Sequence, residues 1–288
     1  MNIVFPIPVK LLQEDPAMFE MFSNMLSYHF MQRALIVGVL VSLCAALLGV
    51  SLVLKRYSMI GDGLSHVGFG TLAIATAMGL SPMLITIPVV VVAAFLLLRL
   101  STRGKLKGDA AIAMISTGAL AIGVTVLSLS SGMTSDVNNY LFGSVLAMSK
   151  SDVMLSIVLA ILVLILFVVF YRQIFAVTFD ETFARATGSH AEAYNMLLAL
   201  LTAVTIVLGM RVMGAMLISS LIIFPALTAM RLCKSFRSVT ICAAIVSVIC
   251  FFAGLCISYL LSTPAGASVV LMNIFAFVLF AAIEKIRS

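Results

Sequence analysis

An all-α polytopic membrane protein, of eight or nine transmembrane helices, is the fold class this sequence predicts, and three observations predict it. Hydrophobic residues fill 63% of the 288 positions, charged ones only 10%, and the mean hydropathy is +1.24; a soluble domain would carry about a quarter charged residues. Charge-free runs recur at or above the roughly twenty residues that cross a bilayer's hydrocarbon. Between them no polar stretch is long enough for a soluble domain, so residues 30–288 read as one transmembrane domain and residues 1–29 as a tail.

The tail mixes Pro6, Pro8 and Pro16 with Lys10, Glu14, Asp15 and Glu20. It has no apolar core followed by a small-residue cleavage site, so it does not read as a signal peptide; a short surface helix is expected near 18–30. The first span is 34–54. The run 67–98 is too long for one crossing and breaks at Gly79-Leu80-Ser81-Pro82, a turn signal, which yields a second helix from about residue 60 and a third from 83. Residues 110–135 hold a fourth, and 153–171, 193–210 and 212–230 three more. The last run, 238–283, divides at Ser262-Thr263-Pro264-Ala265-Gly266 into two. Nine spans result, with eight as the alternative.

Lys and Arg set the orientation. With the amino terminus outside, 13 of the 17 basic residues fall in inner loops and only Lys10, Arg33, Lys150 and Arg211 remain outside, which also accounts for the net charge of +6. The carboxyl terminus is then cytoplasmic. Two connections differ from plain loops. The outer one, 136–147, joins polar residues to an apolar stretch too short to span, and reads as re-entrant or as an interfacial helix. The inner one, 176–192, reads as a short helix: Asp180 and Glu181 sit in its first turn, Glu181 can pair with Arg185, and Gly188 suits its end. Phe179 and Phe183 form an apolar edge that a partner, or the chain's own bundle, must cover.

Within the spans, small residues at close-packing intervals, Ala45 with Gly49 and Ala215 with Ser219, allow helices to approach. Pro225 should kink its helix, with Ser219 and Ser220 serving the backbone groups that it frees. Met210, Met213 and Met216 resemble a ladder of soft ligands, but in a chain of 18 methionines packing explains them better.

No G-x-x-x-x-G-K-[ST], H-E-x-x-H or G-x-S-x-G occurs, which argues against a P-loop nucleotide site, a zinc protease and a serine nucleophile elbow. No basic patch interleaves with aromatics as in a nucleic-acid groove. Five cysteines, Cys44, Cys233, Cys242, Cys250 and Cys256, lack a C-x-x-C pair and read as buried hydrophobes. The chemistry that remains is Asp62 with His66, inside Gly61-Asp62-Gly63-Leu64-Ser65-His66. Four apart on a helix, they share one face and can share a ligand or a proton, and ionisable groups within a membrane segment are functional candidates by default. A competing reading makes Asp62 a helix cap and His66 a bonded bundle residue. Of three histidines, His29, His66 and His190, only His66 is intramembrane in this topology. Carboxylate with neutral imidazole suits Zn²⁺ or Mn²⁺, and two ligands are fewer than a closed structural site needs, which suits an ion in transit.

The stretch from Lys55 to His66 resembles the block after the first span in permeases of the zinc/manganese ABC importers. Further blocks match in order: Gly108 to Ile112; Tyr140-Leu141-Phe142-Gly143; Phe179-Asp180 with Ala184 and Gly188; Val212 to Leu217 through Pro225-Ala226; and Thr263-Pro264-Ala265-Gly266. The resemblance covers residues 30–285. It implies a type II ABC importer permease, similar in fold to cobalamin and siderophore permeases, that is no enzyme itself. Such a subunit of the bacterial cell membrane pairs as a homodimer around the pathway, receives its ion from an extracytoplasmic metal-binding protein and is driven by cytoplasmic ABC ATPase subunits that bind the ATP. The expectations are therefore zinc (ahead of manganese) as cargo, Asp62 and His66 as transient metal ligands with no permanent cofactor, and Phe179, Asp180, Phe183, Ala184 and Gly188 as the ATPase-coupling residues. The rival functions are an ion- or proton-coupled secondary transporter and a same-fold permease for a metal chelate.

Overall fold

A computed structural model describes residues 27–103, 108–130, 141–143 and 149–287. The tail and most of the 136–147 connection lie outside the described residues. The described elements are all helical: α1 (His29–Leu54), α2 (Ser58–Ala77), α3 (Pro82–Arg103), α4 (Gly108–Leu129), α5 (Lys150–Val169), α6 (Tyr171–Phe179), α7 (Glu181–Ala186), α8 (Ala191–Met213), α9 (Ile218–Leu232), α10 (Phe236–Leu261) and α11 (Ala265–Arg287). Seven of them, α1, α3, α4, α5, α8, α10 and α11, are long and apolar enough to cross a membrane. Helix α2 has the length, but Asp62, His66 and its glycines dilute its apolar content; α9, at 15 residues, lacks the length.

Local chemistry explains most boundaries. The turn between α2 and α3 places Gly79 at φ 67°, and α10 ends where Ser262 takes a left-handed φ of 52° just before Pro264, so both sequence-predicted breaks form. Ser149 and Asp152 build a reciprocal capping box that starts α5, and Ser235 with Ser238 does the same for α10. The 212–230 span does not form as expected. Helix α8 runs on through Arg211 to Met213, because Asp152 on α5 pairs the guanidinium, and ends at Gly214 with φ 90°; α9 begins only at Ile218. Arg211, expected in an outer loop, instead lies in the last turn of α8 with its Nη2 3.2 Å from Oδ2 of Asp152.

The core runs along the inner faces of α1, α2, α8 and α9, with Leu48, Leu64, Leu201, Ile206 and Leu208 fully buried. Helix α1 meets α9 backbone to backbone: a Cβ added at Gly49 would stand 2.0 Å from the Ile222 carbonyl oxygen, which confirms the small-residue reading of that position. Helices α2 and α4 pack side by side in the same way at Gly70, against Ala119. Outward faces are apolar stripes at helical spacing, Met154, Val158, Ile161, Ile165 and Val168 on α5 and Leu271, Phe275 and Val278 on α11, as helices facing acyl chains require.

Candidate metal-binding site and coupling segment

Helix α2 is enclosed on three sides by α3, α4, α8 and α9. Its open face carries Met59, Asp62, His66 and Ile74, three to eight residues apart. Asp62 is the fifth residue of α2, whose N-cap is Tyr57; it is therefore no helix cap, and the competing reading of it is set aside. The His66 Nε2 stands 3.7 Å from Oδ2 of Asp62, with side-chain exposures of 13% and 41%. An ion bonded to each at about 2.0–2.2 Å can bridge that gap. The other ring nitrogen of His66, Nδ1, is buried without a hydrogen-bond partner.

Sequence reasoning missed one member of this site. The Ser219 hydroxyl, from the first turn of α9, donates to Oδ1 of Asp62 at 3.1 Å, fixing one carboxylate oxygen while the other faces the imidazole. Ser219 and Ser220 were expected to serve groups freed by Pro225. Ser220 does bond backbone, but the carbonyl of Leu217 at 2.5 Å, at the α8–α9 break and upstream of the proline. No signal in the sequence links Ser219 to a residue 157 positions away. Among the described residues, no three His, Cys, Asp or Glu side chains converge on one point, so one copy offers two strong ligands and a hydroxyl. Met210 and Met213 are buried while Met216 is half-exposed, so the three do not share one environment. His29 begins α1 and His190 caps α8, both exposed.

The break that delivers Ser219 is built from glycines. Gly143, at φ 79°, and Gly214 abut so closely that a Cβ on Gly143 would lie 2.5 Å from the Met213 carbonyl carbon, and one on Gly214 2.2 Å from the Leu141 carbonyl oxygen. Gly266 at the start of α11 closes the group, its would-be Cβ 2.3 Å from the Met213 oxygen, and the Met216 amide donates to the Leu141 carbonyl at 3.2 Å. Only residues lacking side chains allow three backbones to meet here.

At the α2 end nearest Asp62 lies the 176–192 segment. It forms the end of α6 and a separate six-residue α7 rather than one helix, because Asp180 leaves helical conformation to cap α7, its Oδ1 accepting the Phe183 amide at 2.9 Å. That bond and one from Thr182 hold the Asp180 carboxyl below the ordinary range. Glu181 accepts from Arg185 at 2.7 Å, as the spacing predicted. Burial pushes the Glu181 carboxyl up, but bonds from Asn195, Lys55 and Arg185 outweigh this and leave it lowered. Gly188, at φ 84°, closes the segment, with the Ser189 amide on the Ala184 carbonyl. Ala184 is buried, whereas Phe179 and Phe183 are 61% and 65% exposed.

Known proteins resemble this arrangement along nearly its whole length. The chain is 30% identical over 261 residues, 90% of it and 89% of the relative, to the manganese transport system membrane protein MntC of Halalkalibacterium halodurans. It is 31% identical over 246 residues, 85% of it and 94% of the relative, to the high-affinity zinc uptake system membrane protein ZnuB of Haemophilus influenzae. Among solved structures, PsaBC from Streptococcus pneumoniae in complex with Fab superimposes with a TM-score of 0.84 at 27% identity, covering 94% of this chain and all of that one. The model of the ABC 3 transport family fits residues 27–284, and the chain belongs to that family, the multi-pass membrane permeases of zinc and manganese ABC importers.

Proposed function

We propose that this chain is the membrane subunit of a type II ABC importer for Zn²⁺ or Mn²⁺, zinc ahead, in which Asp62 and His66 of each of two copies lend transient ligands. The observation that carries this reading is the Asp62–His66 pair on the open face of α2, one oxygen already oriented by Ser219. A partly exposed carboxylate within a membrane domain needs a polar or protein environment opposite it; a second copy related by a two-fold axis supplies both that environment and a second ligand set. Resemblance to a manganese-named and a zinc-named relative supports a divalent first-row cation as cargo. Imidazole tilts the choice to zinc.

The 1–29 tail and the 78–81 turn face outside, toward a metal-delivering binding protein, and the 176–192 segment and the carboxyl terminus face the cytoplasm. There the exposed Phe179 and Phe183, set by Asp180, Ala184 and Gly188, dock on a separate ATPase. The decisive experiment reconstitutes the permease in proteoliposomes with its ATPase and binding protein and follows radioactive zinc and manganese. Asp62→Ala with His66→Ala should abolish accumulation while the assembly stays intact; accumulation at the unmodified rate would remove the site. Permease alone that moves metal down a proton gradient would replace this mechanism with secondary transport.

A further inference from the structure

Lys55, the C-cap of α1, is a lysine whose side chain is only 6% exposed. Its ammonium reaches three acceptors on three different segments: the Val177 carbonyl of α6 at 3.1 Å, Oε2 of Glu181 on α7 at 3.4 Å and Oδ1 of Asn195 on α8 at 2.5 Å. An ammonium has three N–H donors, so this one is fully subscribed. Asn195 completes the network by donating to the same Glu181 oxygen at 2.9 Å. Burying a charge is costly unless it is paired and bonded, and a lysine stem could readily have reached solvent from a helix end instead.

The short link from Lys55 to α2 makes this placement consequential. Only Arg56 and Tyr57 separate Lys55 from α2, and both amides are tied back to α1, Arg56 to the Val53 carbonyl at 3.0 Å and Tyr57 to the Leu52 carbonyl at 2.8 Å. Arg56 takes a left-handed φ of 60°, so the turn is tight and has no slack. Asp62 lies seven residues beyond Lys55 on the helix that this turn launches. Displacement of α7 therefore has a bonded route, through Glu181 and Lys55, to the base of α2.

We infer that Lys55 is a positioning residue that ties the α7 segment to the start of α2, so that movement of the docking helix reorients Asp62 and His66. This rests on the proposed importer reading, and the test separates the two. In the full assembly of permease and ATPase, deuterium uptake by residues 58–66 is measured with and without ATP–vanadate trapping, a readout that requires no cargo. The unmodified complex should change uptake there on trapping; Lys55→Met should lose that response and carry at least tenfold less metal per ATP hydrolysed. Lys55→Arg, which keeps the charge and the N–H donors for the Val177, Glu181 and Asn195 acceptors, should retain the response, whereas replacing both by apolar groups, Lys55→Met with Glu181→Leu, should not. Recovery in the apolar double variant marks a merely structural pair and overturns the inference, as does a trapping response left intact in Lys55→Met. An unmodified complex that responds to nucleotide but moves neither zinc nor manganese overturns the cargo assignment and leaves the tie standing.

Discussion

Asp62 is oriented from across the bundle: its Oδ1 takes a hydroxyl from α9 and its Oδ2 faces the imidazole of its own helix. A hydrogen bond to a charged group contributes about 1.5–3 kcal/mol, so Ser219→Ala should weaken metal uptake at limiting metal by roughly tenfold or more, with the helix content of the purified protein unchanged. Ser219→Thr, which keeps the hydroxyl, should retain uptake near the unmodified level; a titration of initial uptake rate against metal concentration checks both. The Asp62–His66 pair was legible because four-residue spacing on a helix is a local property of sequence. Ser219 was not, because its role depends on where α9 starts, and that is decided by the Gly214 break rather than by its neighbours. Glu181 with Arg185 was legible for the same local reason; Lys55 with Glu181, 126 residues apart, was not.

Helices in lipid gain no hydrophobic stabilisation from meeting one another, so close backbone approach carries the packing. Gly49 shows the limit of tolerance. A single methyl there would sit 2.0 Å from the Ile222 carbonyl oxygen, and a backbone, unlike a side chain, cannot rotate away. Gly49→Ala should lower stability by about 1–3 kcal/mol, as overpacking typically does, read as a drop in the thermal midpoint of the detergent-solubilised protein; an unchanged midpoint would show that α1 and α9 separate without penalty. At this scale the turns at 79–82 and 262–266 could be read from Gly and Pro alone. The α8–α9 boundary could not, since Arg211 reads as the edge of a loop when its partner Asp152 on α5 is unseen, and the ion pair lets the helix continue through it. By pattern the 176–192 segment reads as one helix; the capping carboxylate of Asp180 divides it.

Among the described residues, polar groups gather at one end of α2 and exposed apolar side chains line the helix flanks. Phe179 and Phe183 project beside charged residues of α7. Phe179→Ala with Phe183→Ala should strip the ATPase subunit from the permease during copurification while leaving the purified permease folded by circular dichroism; retention of the ATPase at unmodified stoichiometry would mean that docking lies elsewhere. A larger consequence comes from the length of α9. Fifteen residues rise about 22 Å, against the roughly 30 Å of hydrocarbon that a full crossing covers. At the end where α9 begins, the backbones of Gly143, Gly214 and Gly266 meet without side chains between them. A side chain at any of the three would force that meeting apart and shift the start of α9, and with it the Ser219 hydroxyl that holds Asp62.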